Sequence, residues 1–163
     1  MKILKKINHF LCSIKRSVPT LIIGTVLIIV VLLLLAKADN DSLSLSFVVG
    51  IIASVVATLL LRITETYSKS IEAFSAVLFR TSLLISFFEE NINADNYYDQ
   101  KFRERLLNHY FDICEKYESI TYKKDYNKIS KAIKGLIDNC NKNNEFDSVL
   151  NAKELLIETV SEI

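Results

Sequence analysis

Hydrophobic and polar positions divide the chain into two long apolar runs and a stretch of mixed character about a hundred residues long. The runs Val18–Ala36 and Leu43–Leu61 hold no charged side chain, and only Lys37-Ala38-Asp39-Asn40-Asp41-Ser42 separates them. As a helix, each 19-residue arm spans roughly 28 Å, about one bilayer hydrocarbon core. A linker that short turns the second helix straight back, so the pattern predicts a transmembrane hairpin over 18–63.

The two arms differ in kind. The first is almost pure Leu, Ile and Val, broken by Thr20, Gly24 and Thr25, with Pro19 suited to the first turn of its helix. The second carries Ser46, Gly50, Ser54 and Thr58 four residues apart, with Ala53 and Ala57 alongside. Apolar burial does not drive helices together in lipid, so close packing of small residues and hydroxyl hydrogen bonds must do it. The stripe therefore reads as a helix-contact face, toward the first arm or another subunit, with a pore lining as the alternative.

Ahead of the hairpin, Ile3, Leu4, Ile7, Phe10, Leu11 and Ile14 recur at helical spacing among Lys2, Lys5, Lys6 and Lys15. This basic amphipathic lead-in, 1–17, either lies in the headgroup layer or extends the first span plainly into the cytoplasm. Neither Pro nor Gly occurs between Ile51 and Gly135, so the second helix is expected to continue past the membrane. Beyond Arg62, the residues Tyr67, Ile71, Phe74, Leu78, Thr81, Ile85 and Phe88 form a heptad-like seam, which Val77, Leu84 and Phe87 widen. Glu65, Lys69, Glu72, Ser75, Ser82, Ser86 and Glu89 take the opposite side.

Three further helices follow from the same periodicity. One covers about Tyr97–Ser119, capped by Asp95 or Asn96, with Tyr98, Phe102, Leu106, Tyr110, Ile113 and Tyr117 on one side. Another covers Asp125–Cys140 through Tyr126, Ile129, Ile133 and Leu136, and a last one carries Phe146, Val149, Leu156, Val160 and Ile163 after the loop Asn139–Asn144. Alternation of period two is absent over any useful length. The expected fold is all-α: a two-helix hairpin whose second span runs into a small cytoplasmic helical bundle over 64–163.

Charge orients this arrangement. The lead-in has five Lys and Arg and no acid, whereas 64–163 sets 13 Lys and Arg against 17 Asp and Glu. Lys and Arg resist translocation, so both termini of this multi-pass chain are expected in the cytoplasm. Ala36-Lys37-Ala38 resembles a signal-peptide cleavage site, but the apolar run is long and a second span follows at once, so an intact chain is expected. Cys12, Cys114 and Cys140 then all sit in a reducing compartment as free, buried thiols.

Little catalytic chemistry can be built from these residues. There is no Gly-rich phosphate loop and no H-E-x-x-H, and His9 and His109 are the only imidazoles. His109, between Leu106 and Ile113, reads as half-buried, and Glu89-Glu90 as solvated acids. No enzyme activity, metal or cofactor is expected. Lys124, Lys128 and Lys131 share a helix face with Lys134 near it, a candidate face for an anionic ligand or lipid headgroup set against a plain solvated surface. No aromatic and basic interleaving marks a nucleic-acid surface.

A short hairpin such as Val18–Leu61 running directly into a helix such as Thr64–Glu90 resembles the two-transmembrane SLATT-type effectors of bacterial anti-phage conflict systems. The resemblance implies a membrane segment that oligomerises and permeabilises the inner membrane when a protein partner or nucleotide signal is engaged. Function is accordingly expected to be that of a homo-oligomeric membrane effector in antiviral defence. The alternative is a non-conducting anchor that tethers a cytoplasmic protein to membrane lipid.

Overall fold

A computed structural model describes the backbone of residues 2–37, 42–141 and 144–163, and the side chains of 7, 8, 10–33, 46–141 and 144–163. The linker residues 38–41 and part of the loop expected at 139–144 lie outside the described residues, as do the side chains of Lys2, Ile3, Leu4, Lys5, Lys6 and His9. Six α-helices account for most of the chain: α1 (Lys2–Arg16), α2 (Val18–Lys37), α3 (Ser42–Asn91), α4 (Gln100–Cys114), α5 (Lys123–Asn139) and α6 (Phe146–Ser161). A single 3-10 turn, Tyr117–Ser119, lies between α4 and α5. Among the described residues there is no strand, and the protein is all-helical. Two compact units divide it, Met1–Lys69 and Ser70–Ile163.

In the first unit α1 and α2 meet at Ser17 with a bend of 63°. Pro19 explains the break, because its ring lacks an N–H and clashes with the carbonyl four residues back. The lead-in is thus a helix but not a straight extension of α2. Ser17 closes α1 instead, its N–H and hydroxyl both donating to the Ser13 carbonyl at 3.1 and 3.0 Å. Ser13 and Ser17 are buried while Ile7, Phe10 and Leu11 stay exposed, and the Phe10 ring meets Tyr67 edge-on at 5.7 Å. Among the described residues of α2 only Gly24 is buried, amid exposed Ile, Leu and Val side chains. The cause is Leu59 of α3: a Cβ at position 24 would lie 2.7 Å from its Cδ1. That approach requires glycine or a displaced leucine.

In the second unit the inward side of α3 is Ser70, Ala73, Val77, Thr81, Leu84 and Phe88. The expected seam was centred elsewhere. Of its members, Thr81 and Phe88 are buried, as are Val77 and Leu84 that widen it; Phe74, Leu78, Ile85 and Phe87 are half-buried against the core, and Ile71 is 41% exposed. The helix is rotated toward its small residues, where a neighbour can approach most closely. Ser70 can be buried because its hydroxyl lies 2.8 Å from Thr121 Oγ1 and accepts the Thr121 N–H at 2.9 Å. Thr81 satisfies its own hydroxyl on the Val77 carbonyl.

The α4 boundaries also differ from expectation. Asn93 Oδ1 accepts the N–H groups of Asp95 and Asn96, and Asn96 Oδ1 accepts that of Asn93. These side chains build a turn instead of capping a helix. The N-cap is Asp99, which accepts from the Lys101 N–H at 3.1 Å. At the other end the backbone tightens after Cys114, Lys116 N–H bonding to the Ile113 carbonyl three residues back. The expected run to Ser119 is therefore a helix and a separate 3-10 turn.

Side chains at 0% exposure from every helix of this unit close its core: Val77 and Leu84 of α3, Leu106 and Ile113 of α4, Ile129 and Ile133 of α5, Val149 and Leu156 of α6. Phe102 of α4 packs between Phe87 and Phe88, with centroids 5.8 and 5.9 Å away. Tyr110 and Ser130 share a 2.9 Å hydrogen bond from α4 to α5. Tyr97 donates to the Asn144 carbonyl at 2.6 Å.

Candidate functional site

The small-residue face of α3 comes first. Ser46, Gly50, Ala53, Ser54, Ala57 and Thr58 are all exposed. The half-buried side of the same segment is Val48, Ile51, Ile52, Val55 and Leu59, the side that meets Gly24 through Leu59. Among the described residues, no part of α2 covers the stripe. Nothing stands within 4 Å of a Cβ built at Gly50. Thr58 donates its hydroxyl to the Ser54 carbonyl at 2.8 Å, so its donor is satisfied inside the helix. An 18-residue window within Ser46–Asn91 has a mean hydropathy of 2.3, long and apolar enough to cross a membrane. The bent pair α1 and α2 reaches that standard when taken together.

The seam residues of α3 divide between the units. Tyr67 belongs to the first, against Phe10, while Phe74, Leu78, Ile85 and Phe88 belong to the bundle core. Just before the boundary, Lys69 pairs with Glu65 at 2.6 Å, a hydrogen bond that holds the carboxyl below its ordinary value.

The α5 lysines do not form one face. Lys124, Lys128 and Lys131 are exposed, and the last two line an open groove of about 690 Å³ between α5 and α6. Lys134 turns the other way, its ammonium 5.9 Å from the centre of the Tyr110 ring on α4. Lys123, at the start of α5, sits 3.6 Å over Tyr117. Ala132, Gly135, Ser148, Ala152 and Leu155 line the groove as well. Sequence reasoning missed it, although one signal was present. Leu155 is 57% exposed and falls off the stripe Phe146, Val149, Leu156, Val160, Ile163, a large apolar residue on a polar side.

The remaining polar groups look structural. His109 is half-buried beside Phe87, ring centroids 5.0 Å apart. Glu89 pairs with Lys153 at 3.2 Å. Arg80 donates to the Asp112 carbonyl and lies 3.7 Å from Glu115. Among the described residues, no three His, Cys, Asp or Glu side chains gather as a metal site. Cys140 is buried, as expected of a free thiol, whereas Cys12 and Cys114 are half-buried. Burial also raises the Tyr126 phenol, helped by its hydrogen bond with Cys114.

Burial pushes the Cys140 thiol up to about 11, with a smaller opposing pull from Arg103. The thiolate is the nucleophile, so Cys140 should alkylate at least ~10-fold more slowly than Cys114 at neutral pH. Timed iodoacetamide labelling of the folded protein, followed by peptide mass spectrometry, checks this. Equal rates would mean that Cys140 is open to solvent.

Compared with protein-family models, curated proteins and solved structures, the chain finds no match.

Proposed function

We propose that the protein is an oligomeric inner-membrane effector. In this reading α2 and the apolar part of α3 form a transmembrane hairpin, both termini are cytoplasmic, and hairpins from several copies meet through Ser46, Gly50, Ala53, Ser54, Ala57 and Thr58. A signal received by the cytoplasmic helices, from a protein partner or a nucleotide, changes that association and permeabilises the membrane. The exposed small-residue stripe carries the reading. It lies along a helix whose opposite side is already taken at Gly24, so its close-packing capacity is left for another subunit. The basic lead-in and the loop with Lys37, Asp39 and Asp41 support the orientation. Because α3 is one helix from Ser42 to Asn91, a continuous hydrogen-bonded path joins bundle and membrane segment. The architectural resemblance to SLATT-type effectors makes phage defence the setting.

Inducing the protein in bacteria, alone and with its neighbouring gene products, should depolarise the cells, as read by a potential-sensitive dye. Gly50→Leu or Ser54→Leu should prevent it. Unchanged potential in both settings would sink the reading. A non-conducting anchor is the second reading, supported by the Thr58 hydroxyl, whose proton is donated to the Ser54 carbonyl of its own helix. An anchor keeps its function when the hairpin is exchanged for an unrelated two-span segment, and an effector does not.

A further inference from the structure

We propose that the groove between α5 and α6 is a pairing surface for a second copy of this chain, α5 of each copy lying against α6 of the other. This deepens the oligomer reading above and rests on its premise that copies meet, but it concerns the bundle and not the membrane segment. Spacing is the first ground. On α6 the groove is lined by Ser148, Asn151, Ala152, Leu155 and Thr159, with Glu162 just past the helix end, and Ser148, Ala152, Leu155 and Thr159 recur at steps of four, three and four. That is coiled-coil spacing, on a side distinct from the buried Val149 and Leu156. On α5 it is lined by Lys128, Lys131, Ala132, Gly135 and Asn139, the first four being the i, i+3, i+4, i+7 set that makes a hole for one knob. A Cβ at Gly135 would meet nothing within 4 Å, and Leu155 stands out at 57% exposure. The molecule thus carries both an empty hole and an unplaced knob.

Charge is the second ground. Lys124 and Lys128 are like charges four residues apart on α5, as are Glu154 and Glu158 on α6, a spacing that destabilises each helix by itself. All four, with Lys131, are exposed and take part in none of the ion pairs among the described residues. Each helix lacks what the other has. The short connection from Cys140 to Glu145 makes α5 and α6 antiparallel. A two-fold axis running along them therefore sets α5 against the partner's α6 with the same heights facing. Lys131 lies nine residues before Cys140 and Glu154 nine after Glu145, while Lys128 and Glu158 match to within one residue. Leu155 then falls at the level of the hole formed by Lys128, Lys131, Ala132 and Gly135. An anionic small molecule fits less well, because Glu162 lines the same stretch as the two lysines.

The test uses the full chain in mild detergent, with two differently tagged copies bearing Gly135→Cys and Leu155→Cys respectively. Oxidation should give a mixed-tag disulfide above the background of the native cysteines. Lys128→Glu with Lys131→Glu in both copies should lower its yield at least ~10-fold, and so should Glu154→Lys with Glu158→Lys, because like charges then face each other. Mixing one copy of each charge variant should restore it. No mixed disulfide in the parent pair, no effect of either reversal, or no rescue on mixing would each overturn the pairing; the last would leave the charges facing a different partner or a phosphate ligand. Repeating the oxidation with Gly50→Leu separates the two ideas. Intact cross-linking with lost depolarisation supports the membrane stripe and the pairing independently, whereas depolarisation without any cross-link removes the pairing alone.

Discussion

Leu84→Ala should remove about 2–5 kcal/mol from the stability of the bundle, and Leu83→Ala, one residue earlier, about 0.5 kcal/mol or less. The two leucines sit side by side on α3, yet Leu84 has no exposed surface and Leu83 is 46% exposed. Truncating a fully buried leucine loses its transfer free energy and leaves a cavity that neighbours fill only in part. Leu84 belongs to a buried core that also draws side chains from α4, α5 and α6, so local relaxation is limited. Urea unfolding followed by tyrosine near-UV circular dichroism measures both variants. The protein has no tryptophan, and every tyrosine except Tyr67 lies at or beyond Tyr97, so the signal reports the bundle. Equal costs at the two positions would mean that Leu83 is covered by something outside the chain.

That pair also shows where reading the sequence stops. The apolar arms, the helical periodicity of everything after them and the continuity of α3 follow from the absence of charge, Pro and Gly. The rotation of α3 does not. A count of apolar positions passes over Ser70, which is buried because its hydroxyl finds Thr121, whereas Thr81, a member of the expected seam, is buried with its hydroxyl on its own backbone. The same count favours Ile71, which the structure leaves at the surface. At α4 the sequence offered Asp95 or Asn96 as the cap, but mutual bonding of Asn93 and Asn96 builds a turn there and Asp99 caps the helix. The small-residue stripe is legible as a pattern, but that it turns away from the side where Gly24 meets Leu59 is a long-range fact. The lysine cluster was legible as a run of charge only. Tyr110 draws Lys134 away, and α6 makes a groove of what remains.

Thr64→Pro should abolish depolarisation while leaving both the bundle and membrane insertion in place. Thr64 lies in α3 just past the apolar segment and before the bundle begins at Ser70, exposed, with its hydroxyl on the Leu60 carbonyl at 2.9 Å. Proline there removes the N–H that closes this turn and drives its ring against the Leu60 carbonyl, a local cost of about 3 kcal/mol or more that the helix relieves by kinking. No core residue of the bundle is touched, so the tyrosine signal and the urea midpoint should match the parent. The apolar run Leu43–Leu61 is intact as well, and alkaline extraction of membranes should still leave the protein in the pellet. What the kink interrupts is the single helix from Ser42 to Asn91 through which the proposed mechanism transmits a signal. Thr64→Ala loses the same hydroxyl bond but keeps the backbone ladder, and it should depolarise like the parent. If Thr64→Pro depolarises equally well, the signal does not travel along α3. If both variants fail, the hydroxyl itself matters, and helix continuity is not what was measured.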